Sequence, residues 1–452
     1  MKSVTAEFVQ ALTAARAGHV PQEAIDTAKA CLLDALGVAA AGQSQELVDI
    51  LDKTLAVFEG APQATLWRRG RRGPMHEAAL VNGAAAHALD FDDMHIASAM
   101  HPSAPVVAAA LAVAEHARKS GIELLRAIAL GIEAEIRIGA AVNPSHYKRG
   151  WHATGTLGHF GAAIAASVLM GLSDEQTVAA LGIAGTQACG LKETFGTMTK
   201  PLHAGLAARN GIMAALLAAR GFTSASDILG GSYGFGAVSS DDPAWNKPAW
   251  RFALTDWSVG SRPWSMYGIL YKTHASSFCT QALIEAVLAL RAQHGLRADQ
   301  VHSMRGEVSR NSIENARIAE PNTGMEAKFS LPHAMAQALA YGQARAEDFT
   351  DARVREPGLR SLRALTAISE GSGLAWPEAI ATIHTASGQT LRQHVDLRQR
   401  SATAKDKWAV VEPKFMSITA GLLKPDAQSG VVQAVQTLDE ASSIEQLMKY
   451  IA

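Results

Sequence analysis

The sequence predicts a mainly α-helical protein that also contains a smaller section of mixed helices and strands. Two observations support this prediction. Alanine and leucine recur at helical spacing through most of the first half of the 452-residue chain, and several of these runs end at glycine. Beyond Tyr271, helical patterns mix with strand-like ones, which is typical of an α+β unit. A chain of this length is also expected to form at least two domains.

The predicted helices of the first half share one composition. The first of them follows Pro21, carries apolar residues from Ile25 to Leu36 along one face and ends at Gly42. Because small side chains let helices approach closely, this composition predicts a compact bundle of antiparallel helices. The other segments with this pattern are APVVAAALAVAEHARKSG, ELLRAIALGIEAEIRIGAAV, GTLGHFGAAIAASVLMGLS, SDEQTVAALGIAGTQACG and HAGLAARNGIMAALLAARG.

The second half begins with a change of composition. Between Phe222 and Tyr271 the chain is rich in glycine, tryptophan and proline, which predicts a crossing between domains. The glycines from Gly230 to Gly236 motivate the hypothesis that the domains open relative to each other. The following segments predict a helix in QALIEAVLALRAQHG, a strand in VHSMRGEVS, a helix in AKFSLPHAMAQALAYG and a hairpin in AIATIHTASGQTLRQHVDL that turns near Gly388. After Lys405, the helical patterns KWAVVEPKFMSITAGLL and SSIEQLMKYIA are expected to pack back on the first domain.

Charge and cysteine content narrow the classes of function. Forty-one basic residues against forty-two acidic ones give a net charge of −1, so the total predicts neither a nucleic-acid nor a membrane partner. Cys31, Cys189 and Cys279 are far apart without CxxC spacing, so we expect reduced thiols rather than disulfides or a zinc cluster. The N-terminus lacks the apolar core of a signal peptide, and the longest apolar run, FGAAIAASVLMGL, is predicted to be too short to span a bilayer. We therefore expect a soluble cytoplasmic protein.

The stretch ALDFDDMHIASAMHPS, which begins at Ala88, is the first candidate site. It places three aspartates and two histidines between apolar helices: Asp90, Asp92, Asp93, His95 and His101. Charged groups are costly to bury unless they are paired, so this stretch is either a solvated loop or a functional site. The aspartates lack the DDxxD spacing and the second acidic cluster of a magnesium–diphosphate site. They could instead cap the helix that begins near Pro102 or orient neighbouring histidines, a role that is favoured for Asp90 or Asp93.

Four further motifs contain histidines and lysines. An isolated histidine near a helix end is more often a capping or core residue than a catalyst, and an isolated lysine is usually solvated. His152 and Lys200 stand out because they lie beside Gly, Thr and Pro breaks between predicted helices, where turns often present functional groups. The sequence contains no GxxxxGK[ST] loop and no strand followed by GxGxxG, and its one GxSxG match, GGSYG from Gly230, follows no predicted strand, so hydrolase triads and nucleotide cofactors have no support. The residues in the four motifs are His152 and His159; Lys192, Lys200 and His203; Lys272 and His274; and Lys328 and His333.

In chain order, these motifs resemble the MmgE/PrpD family over nearly the whole sequence. The matching segments are NGAAAHALDFDDMH with MHPSA, WHATGTLGHFGAA, TMTKPLHAGLAARNG, YKTHASSF and TGMEAKFSLPHA. The resemblance implies a large all-helical domain built from residues 1–263 and 396–452, a smaller inserted α+β domain of residues 264–395, and a homodimer. It also implies an enzyme that acts on a small polycarboxylate without a metal or an organic cofactor.

The resemblance further implies which residues form the site. Members of this family make or break bonds next to a carboxylate, where a proton must move and negative charge must be held. By resemblance to the decarboxylase pattern, His101 or His152 is expected to transfer the proton, with Asp90 orienting an imidazole. Lys200 and Lys272 are expected to clamp substrate carboxylates. The full expected set has Asp90, His101, His152 and His274 as catalytic residues, Lys200, Lys272, Asp93 and His95 as substrate-binding residues, and no metal ligands.

The sequence departs from the decarboxylase pattern at the expected site. The loop from Asp90 to His101 is one residue longer, and Met94 or His95 stands where the decarboxylase pattern has a pocket threonine. Ser277 occupies the place of an active-site histidine, and Gln281 stands where several relatives carry a histidine.

Three functional hypotheses follow. The favoured one is a lyase, either a dehydratase or a decarboxylase, that acts on a citrate-like or aconitate-like acid with one acid–base histidine and a cationic clamp. The second is an epimerase of an imino- or amino-dicarboxylate such as iminodisuccinate, which requires two bases on opposite faces of one carbon. The third is a non-catalytic helical scaffold, which predicts an apolar or blocked pocket with its histidines separated.

Overall fold

The computed structural model describes residues 3–18, 20–58, 60–242, 246–257, 263–399 and 403–452, and it is mainly helical as the sequence predicts. Its helices before residue 256 are α1 (Val4–Ala17), α2 (Gln22–Gly42), α3 (Glu46–Leu55), α4 (Met75–His87), α5 (Ser103–His116), α6 (Gly121–Val142), α7 (Ser145–Lys148), α8 (Ala153–Met170), α9 (Asp174–Gly185), α10 (Thr199–Ala219), α11 (Phe235–Ser239) and α12 (Pro248–Thr255). The segments predicted as helices correspond to α2, α5, α6, α8, α9 and α10, because each has a long apolar face at helical spacing.

The centre of this bundle is formed by α4, α5, α6, α8 and α10, which pack against one another. Gly83 of α4 faces Gly205 of α10 so closely that a Cβ added to Gly83 would lie 3.1 Å from the Gly205 Cα. Almost every side chain of α8 is buried. The small residues that the sequence repeats therefore allow the close helix packing that it predicts.

One expectation about apolar length is wrong. The run starting at Phe160 was expected to be too short to cross a bilayer, but it belongs to α8, whose 18 residues are long and apolar enough by length and composition, as are those of α10. In α8, 89% of the apolar window is buried inside the fold, which is the pattern of a core helix in a globular bundle.

Two small sheets interrupt the helices, so the expectation of an all-helical domain is wrong in detail. β1 (Ala64–Leu66) pairs antiparallel with β2 (Arg71–Gly73), and β3 (Met94–His95) pairs antiparallel with β4 (Ile269–Leu270). The β3–β4 pair matters for the site because it joins the aspartate-rich stretch to the segment that leads into Lys272.

The section after residue 277 contains the predicted mixture of helices and strands. Its helices are α13 (Phe278–His294), α14 (Arg310–Asn315), α15 (Gly324–Ala327), α16 (Leu331–Tyr341), α17 (Asp351–Val354) and α18 (Pro357–Ala364). Its strands β5 (Val301–Val308), β6 (Thr366–Glu370), β7 (Glu378–Thr385) and β8 (Thr390–Asp396) form one sheet in the order β6-β5-β7-β8. β5 runs parallel to β6 and antiparallel to β7, and the β7–β8 hairpin turns at Gly388, whose φ is +85°.

Two details of this section differ from the prediction. The segment AKFSLPHAMAQALAYG was expected to be one helix, but α15 ends at Ala327 and α16 begins at Leu331, because the Ser330 side chain accepts the His333 N–H and Pro332 occupies the first turn. β6 was not predicted, since the strand has only five residues and none of them is fully buried.

The chain ends in α19 (Ala404–Ile418), α20 (Pro425–Gln436) and α21 (Glu445–Ile451). α19 packs along α2, where Lys414 Nζ lies 2.7 Å from Asp34 Oδ1. The C-terminal helices therefore contact the N-terminal bundle.

Candidate active site

The stretch from Leu89 to His101 forms a buried connection between α4 and α5, so it is not a solvated loop. Asp90 is only 3% exposed, and its φ of +51° lies in the left-handed region that residues other than glycine rarely adopt. Three buried lysines from distant parts of the chain donate to three successive carbonyl oxygens here. The contacts are Lys328 Nζ to Leu89 O at 2.5 Å, Lys272 Nζ to Asp90 O at 2.7 Å and Lys414 Nζ to Phe91 O at 2.6 Å. The backbone turn that presents the Asp90 side chain therefore depends on all three.

The carboxylate of Asp90 brings together the two lysines that were predicted to bind substrate. Its Oδ1 accepts from Lys200 Nζ at 2.8 Å, in the first turn of α10, and from Lys272 Nζ at 2.7 Å, just after β4. Burial alone would raise the pKa of Asp90, but the two ammoniums hold it well below its usual range. Burial lowers the pKa of Lys200, and Asp90 opposes that effect. The result is a buried carboxylate that keeps two ammoniums side by side.

His101 lies next to this pair, directly before α5. Its Nδ1 donates to the Asp93 carbonyl oxygen at 2.7 Å, so the neutral ring has its lone pair on Nε2, which lies 3.6 Å from Asp90 Oδ1. Burial lowers the pKa of His101 well below its usual range; Asp92 opposes this effect and the Lys272 ammonium adds to it. His101 is therefore a neutral imidazole that can accept a proton.

His87 and Asp92 form a second pair next to His101. Asp92 belongs to the first candidate stretch, but neither residue is in the expected catalytic and substrate-binding set. His87 Nδ1 lies 2.8 Å from Asp92 Oδ2, so it is Asp92 that orients an imidazole through its carboxylate, the role expected of Asp90 or Asp93. The His87 ring lies between two others, with centroids 4.7 Å from His101 and 5.6 Å from His152. The sequence feature that could have identified this pair is its position, because His87 ends α4 shortly before the aspartates.

His152, the residue before α8, contacts a histidine from α10. Its Nδ1 lies 2.9 Å from Nδ1 of His203. Its Nε2 is buried and has no hydrogen-bond partner among the described residues. Burial, with the Lys200 ammonium, lowers the pKa of His152 well below its usual range. His152 therefore also presents a free nitrogen of a neutral ring.

A small cavity of about 30 Å³, which has room for about one water molecule, lies beside Asp90, His101, His152 and Lys200. It is lined by Asp90, Met94, Ala99, His101, Tyr147, His152, Phe195, Lys200, Ser277, Phe278, Cys279, Asn315, Phe329 and Trp376. A neighbouring cavity of about 380 Å³ shares Phe195, Asn315 and Phe329 with it, so these three side chains separate the two spaces. His101 and His152 meet at this cavity, whereas the scaffold hypothesis predicts separated histidines. The small size of the cavity does match the blocked pocket that the same hypothesis predicts.

A larger cavity, of about 930 Å³, is lined by Leu89, Phe91, Lys328 and Lys414 among others, and no histidine is among its described lining residues. We place the candidate site at the smaller cavity because the groups able to transfer protons face it.

The other three predicted site residues have different surroundings. Asp93 accepts the backbone N–H of Ser103 at 3.2 Å and also its hydroxyl, so it caps α5, and burial together with Asp34 raises its pKa to about 8. His95 Nδ1 contacts Ser98 Oγ at 2.8 Å. His274 Nε2 contacts Glu285 Oε1 at 3.1 Å. None of the three is among the described residues that line the small cavity, because each side chain is bonded to a neighbour in its own segment.

Four side chains of this cluster also lie close enough together to be tested as a metal site. One ligand atom from each of His87, Asp90, Asp92 and His101 can be chosen so that all lie within 4.8 Å of one another, and imidazole with carboxylate suits several divalent metals. The possible metal-ligand atoms that have no hydrogen-bond partner among the described residues are His87 Nε2, Asp90 Oδ2 and Asp92 Oδ1. However, two lysine ammoniums already contact Asp90, and they would repel a dication. The geometry favours proton transfer over metal binding.

The fold and the site together define a helix-rich protein with a buried cluster of carboxylates, lysines and histidines. The chain belongs to the MmgE/PrpD family. Residues 5–248 match the MmgE/PrpD N-terminal domain and residues 274–440 match the MmgE/PrpD C-terminal domain. The second match extends past residue 395 into the C-terminal helices, and the inserted arrangement of residues 264–395 stays a prediction.

Curated relatives of the chain share one kind of name. It is 26% identical to human cis-aconitate decarboxylase over 464 residues, which cover 97% of this chain and 92% of the relative. It is 26% identical to the mouse cis-aconitate decarboxylase over 472 residues, covering 99% and 94%. It is 30% identical to the cis-aconitate decarboxylase-like protein oryM of Aspergillus oryzae over 314 residues, covering 67% and 65%.

Proposed function

We propose that this protein is a lyase that removes CO2 from a small tricarboxylate of the cis-aconitate type. The observation that carries the proposal is the meeting of Lys200 and Lys272 on Asp90, beside the free imidazole nitrogens of His101 and His152. The names of the relatives favour decarboxylation over dehydration. The epimerase alternative has no support from these comparisons.

The charge of the cluster suits a polyanion. Lys200, Lys272 and Lys328 supply three buried ammoniums, and Asp90 with Asp92 supplies two carboxylates. Positive charge exceeds negative by one when all five are ionised, and because burial lowers the pKa of Lys328 to about 7, this excess is present below about pH 7. In a buried site such charges interact far more strongly than in water, so a substrate carboxylate that replaces part of the Asp90 contact gains strong charge-assisted hydrogen bonds. Lys200, which lines the cavity, is the ammonium placed to make that contact.

The two histidines supply the proton chemistry. Breaking a bond from carbon to CO2 leaves an electron pair on carbon, and a proton must be delivered to it. His152 can deliver that proton from Nε2, while Lys200 stabilises the negative charge of the carboxylates that remain. His101, whose Nε2 carries the lone pair, can accept a hydrogen bond or a proton from the substrate on the Asp90 side. The same pair could serve a dehydration, with His101 as the base and His152 as the acid.

The size of the cavity requires the site to open. About 30 Å³ cannot hold a tricarboxylate, whereas the adjoining space of about 380 Å³ can. Phe195 and Phe329 stand between the two spaces with ring centroids 5.7 Å apart. Substrate entry therefore requires these two rings to separate.

The test is one-dimensional proton NMR in D2O with cis-aconitate, citrate, 2-methylcitrate and chiral iminodisuccinate, each with and without a metal chelator. We expect the vinyl proton signal of cis-aconitate to disappear, CO2 to be released and one deuterium to enter the product, with chelator or without. New vinyl signals from citrate or 2-methylcitrate would show that the enzyme is a dehydratase instead of a decarboxylase. Deuterium exchange of iminodisuccinate with loss of optical rotation would show that the enzyme is an epimerase instead of a lyase. Activity that chelator removes and a divalent metal restores would contradict the metal-free site.

A further inference from the structure

His152 and His203 form a hydrogen-bonded pair in which one ring must donate and the other accept. Their Nδ1 atoms lie 2.9 Å apart, and a single proton fits between them when both rings are neutral. If His203 donates, the proton of His152 is on Nε2, the nitrogen that has no partner in the described structure. If His152 donates, its Nε2 carries a lone pair. The position of the shared proton therefore decides whether His152 is an acid or a base at the cavity.

The surroundings keep both rings in the neutral forms that this exchange requires. Burial, with the His87 ring and the Lys200 ammonium, lowers the pKa of His203 to about 4. The pKa of His152 is lowered by burial and by the same ammonium. Neutral imidazole is the form in which each ring has one donor and one acceptor nitrogen, so a proton can pass through it.

The two rings differ in exposure. His152 is 1% exposed and lines the closed cavity, whereas His203 is 8% exposed and is not among the residues that line it. The pair thus extends from the cavity to a residue that retains some exposed surface. Phe195 covers the His152 ring edge-on, with centroids 5.1 Å apart, and shields it on another side.

We propose that His203 is the outer member of a two-histidine proton relay that supplies His152 while the cavity is closed. This inference rests on the proposed function, since decarboxylation consumes one proton per turnover. A cavity with room for about one water molecule has no proton reservoir of its own. The protein must therefore bring in the proton, and the paired rings connect the free nitrogen of His152 to a ring that is less buried.

Each proton that leaves a ring of the relay is replaced by another proton on the same ring. At the start, His152 has its proton on Nε2 and His203 has its proton on Nδ1. The carbon–CO2 bond breaks, CO2 leaves, and the electron pair left on carbon takes the proton from His152 Nε2. The shared proton moves from His203 Nδ1 to His152 Nδ1, and a water molecule supplies a proton to His203 Nε2. The hydroxide left from that water passes to the solvent, where the released CO2 takes it up as bicarbonate. Both rings end neutral in the opposite tautomers. When product leaves and the cavity admits water, the reverse shift restores the starting tautomers.

Two substitutions separate the relay from simple positioning. His203→Asn places an amide near the position of Nδ1, so it can keep the hydrogen bond to His152 but cannot pass a proton. His203→Ala removes both. The matched control is His159→Asn, because His159 is a buried histidine of α8 that bonds the Gly155 carbonyl and Asn210 and does not line the cavity.

The measurement is the deuterium content of the decarboxylation product as a function of the deuterium fraction of mixed H2O and D2O, alongside kcat. The ratio of deuterated to undeuterated product reports the protonation step even when another step limits turnover. For the wild type and His159→Asn we expect curved plots, since two or more protons move together. For His203→Asn we expect a linear plot and kcat about 10- to 100-fold lower, and added imidazole should partly restore His203→Ala. A curved plot for His203→Asn would overturn the relay.

A second measurement does not depend on the substrate. In ligand-free protein with 15N-labelled histidine, a scalar coupling between the two Nδ1 nuclei would show the shared proton directly, and it should vanish in His203→Ala. Absence of that coupling in the wild type would overturn the relay even if decarboxylation is observed. Presence of the coupling without turnover of cis-aconitate would instead count against the proposed function.

Discussion

Lys272 Nζ lies 2.7 Å from both the carbonyl oxygen and Oδ1 of Asp90, so one ammonium fixes the backbone and the side chain of the same residue. This double contact holds Asp90 in a left-handed conformation that a non-glycine residue rarely adopts. Lys200 Nζ donates to the same Oδ1 at 2.8 Å, and Oδ2 has no hydrogen-bond partner among the described residues. The electrostatic centre of the site is therefore also what fixes the local backbone.

The first prediction concerns the charge of Asp90. Asp90→Asn leaves two buried ammoniums facing a neutral amide, so we expect the free energy of unfolding to fall by about 3–5 kcal/mol and decarboxylation to be lost. Denaturant unfolding and the NMR assay measure the two effects. The control is Asp241→Asn, because Asp241 pairs with Arg149 at the surface and its side chain is 71% exposed, so little change is expected. Equal stability of Asp90→Asn and wild type would show that the ammoniums do not need this carboxylate.

The second prediction concerns His101 as a proton-transferring group. In His101→Asn the amide can still donate to the Asp93 carbonyl from near the Nδ1 position, but the Nε2 lone pair is lost. We therefore expect kcat to fall by about 10²- to 10⁴-fold with the thermal unfolding temperature nearly unchanged. His384→Asn, on the β7–β8 hairpin, is the control and should keep full activity. A His101→Asn variant with wild-type kcat would leave His152 as the only acid–base histidine.

The third prediction follows from the raised pKa of Asp93. Its folded pKa of about 8 exceeds the ordinary value of 3.8, so the folded protein holds this proton more tightly than the unfolded chain does. The stability that it contributes is complete below about pH 4 and is lost as the pH rises through 8. Denaturant unfolding between pH 5 and pH 9 should show a steeper loss of stability for the wild type than for Asp93→Asn, which keeps an acceptor for the Ser103 N–H. Parallel curves would mean that Asp93 is ionised throughout.

The sequence predicted more of the fold than of the contacts at the site. Helices such as α8 were predictable because their apolar spacing is a local property, and the β7–β8 hairpin because Gly388 marks its turn. The two-residue strands β3 and β4 could not be predicted, since their pairing joins residues far apart in the chain. For the same reason, no local pattern shows that Asn315 and Trp376 line the cavity.

The candidate site was predicted through its motifs, but the partners of each group were not. Lys200 and Lys272 were expected to bind substrate directly, and the structure shows that Asp90 holds both. Whether His203 would pair with His152 depends on how α8 and α10 are rotated against each other. Asp93 was expected to orient an imidazole or to bind substrate, but its carboxylate bonds Ser103 at the start of α5.

The fourth prediction tests the close packing that positions Lys200. A Cβ added to Gly205 would overlap the Leu80 carbonyl oxygen, and backbone atoms cannot move aside cheaply. We expect Gly205→Ala to lower the free energy of unfolding by about 3 kcal/mol or more and to reduce activity by shifting α10. Gly358→Ala is the control, because a Cβ there meets no atom within 4 Å and the residue lies in a helix, so stability should be unchanged or slightly higher. Circular dichroism during urea unfolding distinguishes the two variants.

The last prediction separates stability from positioning at Lys414. This lysine bonds Asp34 Oδ1 at 2.7 Å and the Phe91 carbonyl oxygen at 2.6 Å, but it does not line the small cavity. Lys414→Met should destabilise the protein by about 3 kcal/mol, because it leaves Asp34 buried without its partner. In Lys414→Met/Asp34→Leu the unpaired charge is gone, so stability should return toward the wild-type value, while the bond to Phe91 stays lost. If that bond positions Asp90, kcat remains at least about tenfold low in the stable double variant; full recovery of kcat would limit Lys414 to a role in folding.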